Sequence, residues 1–415
     1  MKRPKKKVYA TCGFNTISLG TGRREFHPKK PRPGLEYYIQ EAGKGVIAQM
    51  NDPENIDEGV IGNFMAARFN KQGNLAALIP TIHPSLEFKP HTRVEGACGS
   101  GGLALLTSVK SIASELSDVV LTIGVEVQNT YKAIYGADIL GGAGHYLSQR
   151  KNGHAYFFPG QFSDRAGACY DKFGYEHMRK GMACWYKQAV ENARRNPKAQ
   201  EYHNTAEDLF ALGMTPPNPK VFVDHLNVYD CSKVSDGASA LLFCSEEGLK
   251  KIGIDKKDAI EVVGFGIAVA DVTKLPEDLT IMDTTKKAVE KAYNMSGLGP
   301  QDIGVLELHD CFTIGGILAL EATGFCKYGE ASGFVQDGKT NFNSEISTNS
   351  TGGLIGFGHY TGGTGVRQAA DCVHQLTEKA GNCQVKLNPD KPYALMISMG
   401  GNDRTVTAMI FRRAE

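Results

Sequence analysis

Three stretches of the chain are apolar almost without interruption: Val119-Val120-Leu121-Thr122-Ile123-Gly124-Val125, Ala240-Leu241-Leu242-Phe243-Cys244 and Ala394-Leu395-Met396-Ile397-Ser398. A strand with one wet face would alternate; runs like these predict strands covered on both faces. Stretches of helical character lie between them, from Gly102 to Leu116 and from Gly365 to Glu378, and strands alternating with helices predict an α/β architecture. At 415 residues the chain exceeds what one compact core holds, which implies two or three packed units. A weak internal repeat supports this. Glu95 to Glu126 reads as short strand, Gly-rich turn with Cys98, helix and buried strand ending in Gly, and Glu345 to Gly401 reads similarly around His359.

Asn129 to Lys220 has a different composition, rich in aromatic and charged residues and closing on Met214-Thr215-Pro216-Pro217-Asn218-Pro219. About 90 residues are too many for a plain connection, so this segment reads as an inserted lobe covering an active site, or as an insert that serves stability alone.

Lys and Arg number 46 against 45 Asp and Glu, a balance that gives no support for nucleic-acid binding and still allows a local basic patch for an anionic ligand. No window approaches the ~18 apolar residues of a membrane span. The ten cysteines are scattered and follow no secretory signal, which predicts reduced thiols in a cytoplasmic setting. The basic start, Met1 to Lys7, reads as a short solvated tail ahead of a first strand over Val8 to Phe14. Arg412-Arg413-Ala414-Glu415 is not a peroxisomal address.

Four motifs carry chemistry. In Gly96-Ala97-Cys98-Gly99-Ser100-Gly101-Gly102, a cysteine at a strand-to-helix turn meets free N–H groups and the positive end of a helix, which would favour its thiolate. The alternative is a buried structural thiol. Leu306-Glu307-Leu308-His309-Asp310-Cys311-Phe312-Thr313 sets three polar residues at the end of an apolar strand, either as a reactive triplet or as a core histidine satisfied by Asp310. Between Gly352 and Gly365, His359 stands among seven glycines, a backbone bent tightly around a ligand or a histidine serving only the turn. Met399-Gly400-Gly401-Asn402 offers backbone N–H groups for an oxyanion.

Together these motifs resemble the thiolase superfamily over nearly the whole chain. Residues 97–102 are similar to its nucleophile loop and Ser232-Lys233-Val234-Ser235-Asp236-Gly237-Ala238 to its S-x-x-[NS]-D-G-A segment. His309-Asp310-Cys311-Phe312 stands where the family has Asn-Glu-Ala-Phe, and Gly358-His359 where it has Gly-His-Pro. Ser398-Met399-Gly400 departs from the Cys-x-Gly turn of most members, and the His-Asp-Cys-Phe variant without that cysteine resembles the sterol-carrier-protein-type thiolases. Tyr360-Thr361 in place of Pro and a hydrophobic residue implies a pocket shaped for an unusual acyl group.

The resemblance implies two βαβαβαββ halves in a five-layer αβαβα sandwich, with residues 1–128 and 218–257 forming one half, 258–415 the other and 129–217 a loop domain over CoA. It implies that Cys98 takes the acyl group of a CoA thioester with His359 as base, and that Cys311 moves the α-proton. His359 and His309 would form one oxyanion hole, and the N–H groups of Cys98 and Gly400 the other. Ser232 would lie near the pantetheine or thioester. CoA thioester would be substrate, with no permanently bound cofactor and no metal. The chain would act as a homodimer or tetramer. A small zinc-ribbon/OB-fold partner is an open expectation; this chain has no CxxC pair to bind zinc itself. A ketoacyl-synthase-like acyltransferase of the same fold, for which Cys98, His309 and His359 would suffice, is the alternative enzyme. A thiolase-like lipid-binding or assembly subunit is the alternative without catalysis.

Overall fold

The computed structural model describes residues 4–151 and 153–415, so residues 1–3 of the basic Met1–Lys7 segment lie outside it. Its strands are β1 Tyr9–Asn15, β2 Leu19–Gly20, β3 Glu58–Gly62, β4 His91–Val94, β5 Val119–Glu126, β6 Ser235–Cys244, β7 Ala259–Val269, β8 Ile303–Glu307, β9 Ser347–Thr348, β10 Tyr393–Gly400 and β11 Thr405–Arg413. The longer helices are α1 Leu35–Ile47, α2 Ser100–Ala113, α3 Ala133–Leu140, α4 Phe157–Phe173, α5 Tyr175–Ala193, α6 Asp283–Ser296, α7 Thr313–Ala322 and α8 Thr364–Leu376.

The sheet order is β4-β3-β5-β6-β1-β7-β11-β10-β8-β9, with β2 on β6. The first five strands and the last five repeat one plan. β4-β3-β5 and β9-β8-β10 are parallel, and β5-β6-β1 and β10-β11-β7 are antiparallel. The weak repeat in the sequence is therefore a repeat of topology. The halves join where Tyr9–Thr11 of β1 pair with Ala259–Glu261 of β7.

Three apolar cores separate five layers. One lies between α1 and the first half-sheet, one around α2 and α8 between the two half-sheets, and one on the outer face of the second half with α6, α7 and the inserted helices α4 and α5. β5 and β6 are buried along their whole length, as the continuous runs required. The central helices meet backbone to backbone. A Cβ on Gly101 would lie 2.8 Å from the Gly365 nitrogen, and one on Gly365 2.4 Å from the Gly102 nitrogen. Only glycine permits this approach, and it sets the turn before α2 beside the turn before α8.

Candidate active site

Cys98 stands in the turn between β4 and α2. The turn closes on itself: Gly99 N–H donates to the Gly96 carbonyl at 3.0 Å, Gly96 N–H to Ser100 Oγ at 3.0 Å, and Ser100 Oγ–H to the Ala97 carbonyl at 2.6 Å. Ala97 holds φ at +54°, a left-handed conformation that a residue with a Cβ adopts at a cost, on the order of 1–3 kcal/mol, and it precedes the nucleophile candidate directly. The expected activation by the helix end is not what the electrostatics give. Burial pushes the Cys98 thiol up to about 12, and the buried carboxylate of Glu126 adds to the rise. Desolvation outweighs the partial positive charge at the start of α2, so the resting group is a thiol. Iodoacetamide is therefore expected to alkylate Cys98 at a rate that climbs steadily from about pH 6 to 9, followed by peptide mass spectrometry. A rate flat across that window would instead reveal a preformed thiolate.

His309 follows β8. Asn349 continues the ladder with its side chain, accepting from Leu308 N–H at 2.7 Å and donating to the Leu308 carbonyl at 3.2 Å. Asp310 does not satisfy His309, contrary to the core-histidine reading. Its carboxylate accepts from the Trp185 indole at 2.9 Å and from Leu354 N–H at 2.7 Å, which ties α5 and the Gly-rich turn to this loop. His309 Nδ1 instead accepts from the backbone N–H of Met399 at 3.3 Å, so in the neutral ring the proton sits on Nε2.

His359 is held by its backbone: its N–H donates to Ser235 Oγ at 2.9 Å and its carbonyl accepts from Gln128 Nε2 at 2.8 Å. Its Nδ1 lies 2.8 Å from Thr364 Oγ1. The two imidazoles stand edge to face with centroids 5.1 Å apart. Among the described residues neither Nε2 has a hydrogen-bond partner, although both are buried. Burial lowers both groups, His359 to about 3 and His309 well below its usual range, so both rings are neutral at physiological pH.

Both Nε2-bearing rings, Cys98, Cys311 and Ser232 line one cavity of about 250 Å³. Burial, and then the neighbouring Cys98 thiol, drive Cys311 well above the ordinary thiol range. Ser232 N–H donates to the Cys311 carbonyl at 2.9 Å, so the 231–235 segment bridges the Cys311 and His359 loops. Gly400 sits at the end of β10 against the Cys98 turn; a Cβ there would fall 2.1 Å from the Gly96 carbonyl oxygen and 3.2 Å from the Cys98 nitrogen. Ser398 has its side chain against Gly102 and Gly365 in the central layer, and it is Met399 that lines the cavity. The other wall comes from the insert: Phe162 stacks on Phe312 at 4.4 Å, and Tyr156 meets Phe222 at 5.4 Å.

Sequence reasoning passed over Glu126 and Thr364. Glu126 accepts from Asn63 Nδ2, the N–H groups of Phe64 and Met65, Thr361 Oγ1 and the Gly362 N–H, at 2.9–3.1 Å. It fastens the loop after β3 to the His359 turn. The available signal was an acid ending an otherwise apolar run.

The family model for a thiolase C-terminal domain-like region matches residues 270–413. The acetyl-CoA acetyltransferase of Methanocaldococcus jannaschii is 32% identical over 395 residues, covering 94% of this chain and 96% of that one. Homo sapiens sterol carrier protein 2 is 29% identical over 403 residues, covering 92% and 69%. Among solved structures, an Ltp2-ChsH2(DUF35) aldolase matches with a TM-score of 0.78 at 19% identity, covering 98% of each chain. Human mitochondrial 3-ketoacyl-CoA thiolase in complex with CoA matches at 0.67 and 17% identity, covering 100% of each. The structures speak for the fold, and the full-length archaeal relative speaks for descent: the chain belongs to the thiolase family.

Proposed function

We propose that this chain catalyses CoA-dependent cleavage of a 3-ketoacyl-CoA, or the reverse Claisen condensation, through an acyl-Cys98 intermediate. One observation carries the assignment of roles: two thiols and two neutral imidazoles converge on a single apolar cavity, with both imidazole Nε2 atoms free of protein partners. In the condensing direction the Cys98 proton passes to His359 and the sulfur attacks a thioester carbonyl. The acyl–Cys98 bond forms, and CoA leaves carrying that proton. A second thioester then binds with its carbonyl oxygen toward His309 Nε2–H. Cys311 first passes its own thiol proton to His359 Nε2, bare again once CoA has left, and as thiolate takes the α-proton. The resulting carbanion attacks the acyl carbon, and Cys98 leaves with the proton held on His359. The backbone N–H groups of Cys98 and Gly400 receive the oxyanion of the tetrahedral intermediate. Cys311 lining the cavity favours this over decarboxylative condensation, which has no α-proton to remove.

Residues 129–217 serve as the loop domain over CoA, and residues 1–128 with 218–257 and residues 258–415 as the two thiolase halves. Ser232 sits where the pantetheine or thioester would pass. The segment Gly22–Gly34 suits an anionic nucleotide: Arg23 is buried and paired with Glu25, which leaves Arg24, Lys29, Lys30 and Arg32 as its unopposed cations, and the segment starts beside Lys233 of the cavity wall. The CoA complex of the mitochondrial thiolase supports the same reading. A homodimer is supported by the edge strand β4, next to which Phe88 is 97% exposed at φ +65°. A small separate partner is supported by the Ltp2-ChsH2(DUF35) aldolase. Among the described residues no helix is long and apolar enough to cross a membrane, and the ten cysteines are free, which fits a cytoplasmic enzyme.

The test is turnover of a panel of straight, branched and aromatic 3-ketoacyl-CoA thioesters with free CoA, resolved by liquid chromatography. Acetyl-CoA or another short acyl-CoA together with a shortened acyl-CoA is the expected product pair. No product from the panel, with condensation of malonyl thioesters instead, would replace this reading with the ketoacyl-synthase one.

A further inference from the structure

We propose that Thr364 is a positioning residue that fixes His359 with its proton on Nδ1, so that the two imidazoles face the cavity in opposite states, His359 Nε2 as acceptor and His309 Nε2–H as donor. The proposal rests on the assignment of Cys98 and His359 above and adds how one histidine is made a base and the other a donor.

The geometry differs at the two rings. His309 Nδ1 faces a backbone N–H, that of Met399 at 3.3 Å, which can only donate; the ring proton is thereby confined to Nε2. His359 Nδ1 faces a hydroxyl, which can donate or accept. The Thr364 Oγ1 has a second neighbour 3.3 Å away, the carbonyl of Tyr360, which can only accept. A hydroxyl has one hydrogen. Given to the Tyr360 carbonyl, it leaves Oγ1 to accept from His359 Nδ1–H, and both acceptors and both hydrogens are then paired. Pointed at Nδ1, it would confine the ring proton to Nε2, where no protein acceptor stands among the described residues. That arrangement makes one hydrogen bond in place of two, although the Tyr360 carbonyl would keep its backbone donors, Gly363 N–H at 2.8 Å and Thr364 N–H at 3.1 Å. Thr364 has no freedom to choose other partners: it is fully buried, and its own N–H donates to the same Tyr360 carbonyl at 3.1 Å as α8 begins.

The consequence is a division of labour. With Nδ1 protonated, the electron pair on His359 Nε2, which no protein group among the described residues occupies, is left free on a ring that lines the same cavity as Cys98 and can take its proton. The S–H bond breaks as the proton moves to Nε2, the S–C bond to the thioester carbonyl forms, and the C–S bond to CoA breaks with the Nε2 proton leaving on the CoA sulfur. The other ring proton stays on Nδ1 throughout, donated to Thr364 Oγ1. His309, already protonated at Nε2, cannot act as that base.

The experiment combines ¹⁵N spectra of histidine-labelled protein with two substitutions. In the wild type, using His359→Gln and His309→Gln to assign signals, His359 is expected to show a protonated Nδ1 and a bare Nε2, and His309 the reverse. Thr364→Val keeps the shape and removes the acceptor, so His359 is expected to move toward the His309 pattern. Acylation of Cys98 by acyl-CoA should then slow by on the order of 10²–10⁴-fold. Thr364→Ser restores the hydroxyl and is expected to recover both the spectrum and the rate to within about threefold. A proton on Nε2 of His359 in the wild type overturns the proposal whatever the variants do, and so does folded Thr364→Val with a wild-type acylation rate. Wild-type protein that forms no acyl-Cys98 would defeat the assignment of the nucleophile while leaving the tautomer result to stand or fall by itself.

Discussion

Alanine at Cys98 is expected to lower kcat/KM for thiolysis by at least ~10⁴-fold and to remove the acyl adduct seen by intact-protein mass spectrometry after mixing with acyl-CoA. The loss should be this large because nothing else in the cavity can substitute. Cys311 is also held away from its thiolate, by burial and then by Cys98 itself. The resting thiol needs a base, and the neutral His359 ring supplies one that is available throughout the physiological pH range. The variant should fold, because Cys98 contributes no side-chain hydrogen bond to its turn, which Ser100 closes. An adduct that persists in Cys98→Ala and disappears in Cys311→Ala would exchange the two roles. An adduct absent from wild type across a broad acyl panel would end the covalent mechanism for the isolated chain.

Much of the architecture was readable because it depends on local pattern. The run at Val119 is a buried strand because no polar residue interrupts its two faces, and α2 and α8 begin within two residues of the expected positions. The repeat was faint in residue identities because its halves share only topology, β1 with β7 through β6 with β11. The motif residues could be found from their glycines, since tight turns against backbone demand them. The convergence of Cys98, Ser232, His309, Cys311 and His359 on one cavity was anticipated through the family motifs; what failed were readings of a side chain's partners and charge made from its neighbours in sequence. One of the two readings of the 309–311 triplet paired Asp310 with the histidine beside it, yet Asp310 holds Trp185, 125 residues away. The Cys98 thiol was expected to ionise easily because the helix is adjacent in sequence; the burial that reverses this comes from an insert and a second half that only the fold brings over it. Glu126 and Thr364 are unremarkable in composition, and their importance follows from the donors and acceptors that tertiary packing presents to them.

Gly400→Ala is expected to reduce kcat by on the order of 10²–10³-fold and to destabilise the fold by about 1–3 kcal/mol. The added methyl would meet the Gly96 carbonyl oxygen at 2.1 Å and the Gly99 nitrogen at 2.6 Å, both backbone atoms of the Cys98 turn. No rotamer change relieves such contacts. β10 must retreat from the turn, or the turn from β10, by about 1 Å, a displacement that in a reacting geometry can cost about 10²-fold. Either movement separates the two N–H groups that would share the oxyanion, and losing one such donor raises the barrier by about 2.7–4 kcal/mol. The loss should fall on kcat rather than on KM, since the ground-state thioester leans less on these donors than the tetrahedral intermediate does. Ser398→Ala, two residues away, is the control: its hydroxyl has no protein partner among the described residues and does not line the cavity, so kcat should stay near wild type. Steady-state kinetics and thermal unfolding of both variants decide the matter. A folded Gly400→Ala protein retaining kcat within tenfold of wild type would remove Gly400 from the oxyanion site and leave it a packing role alone.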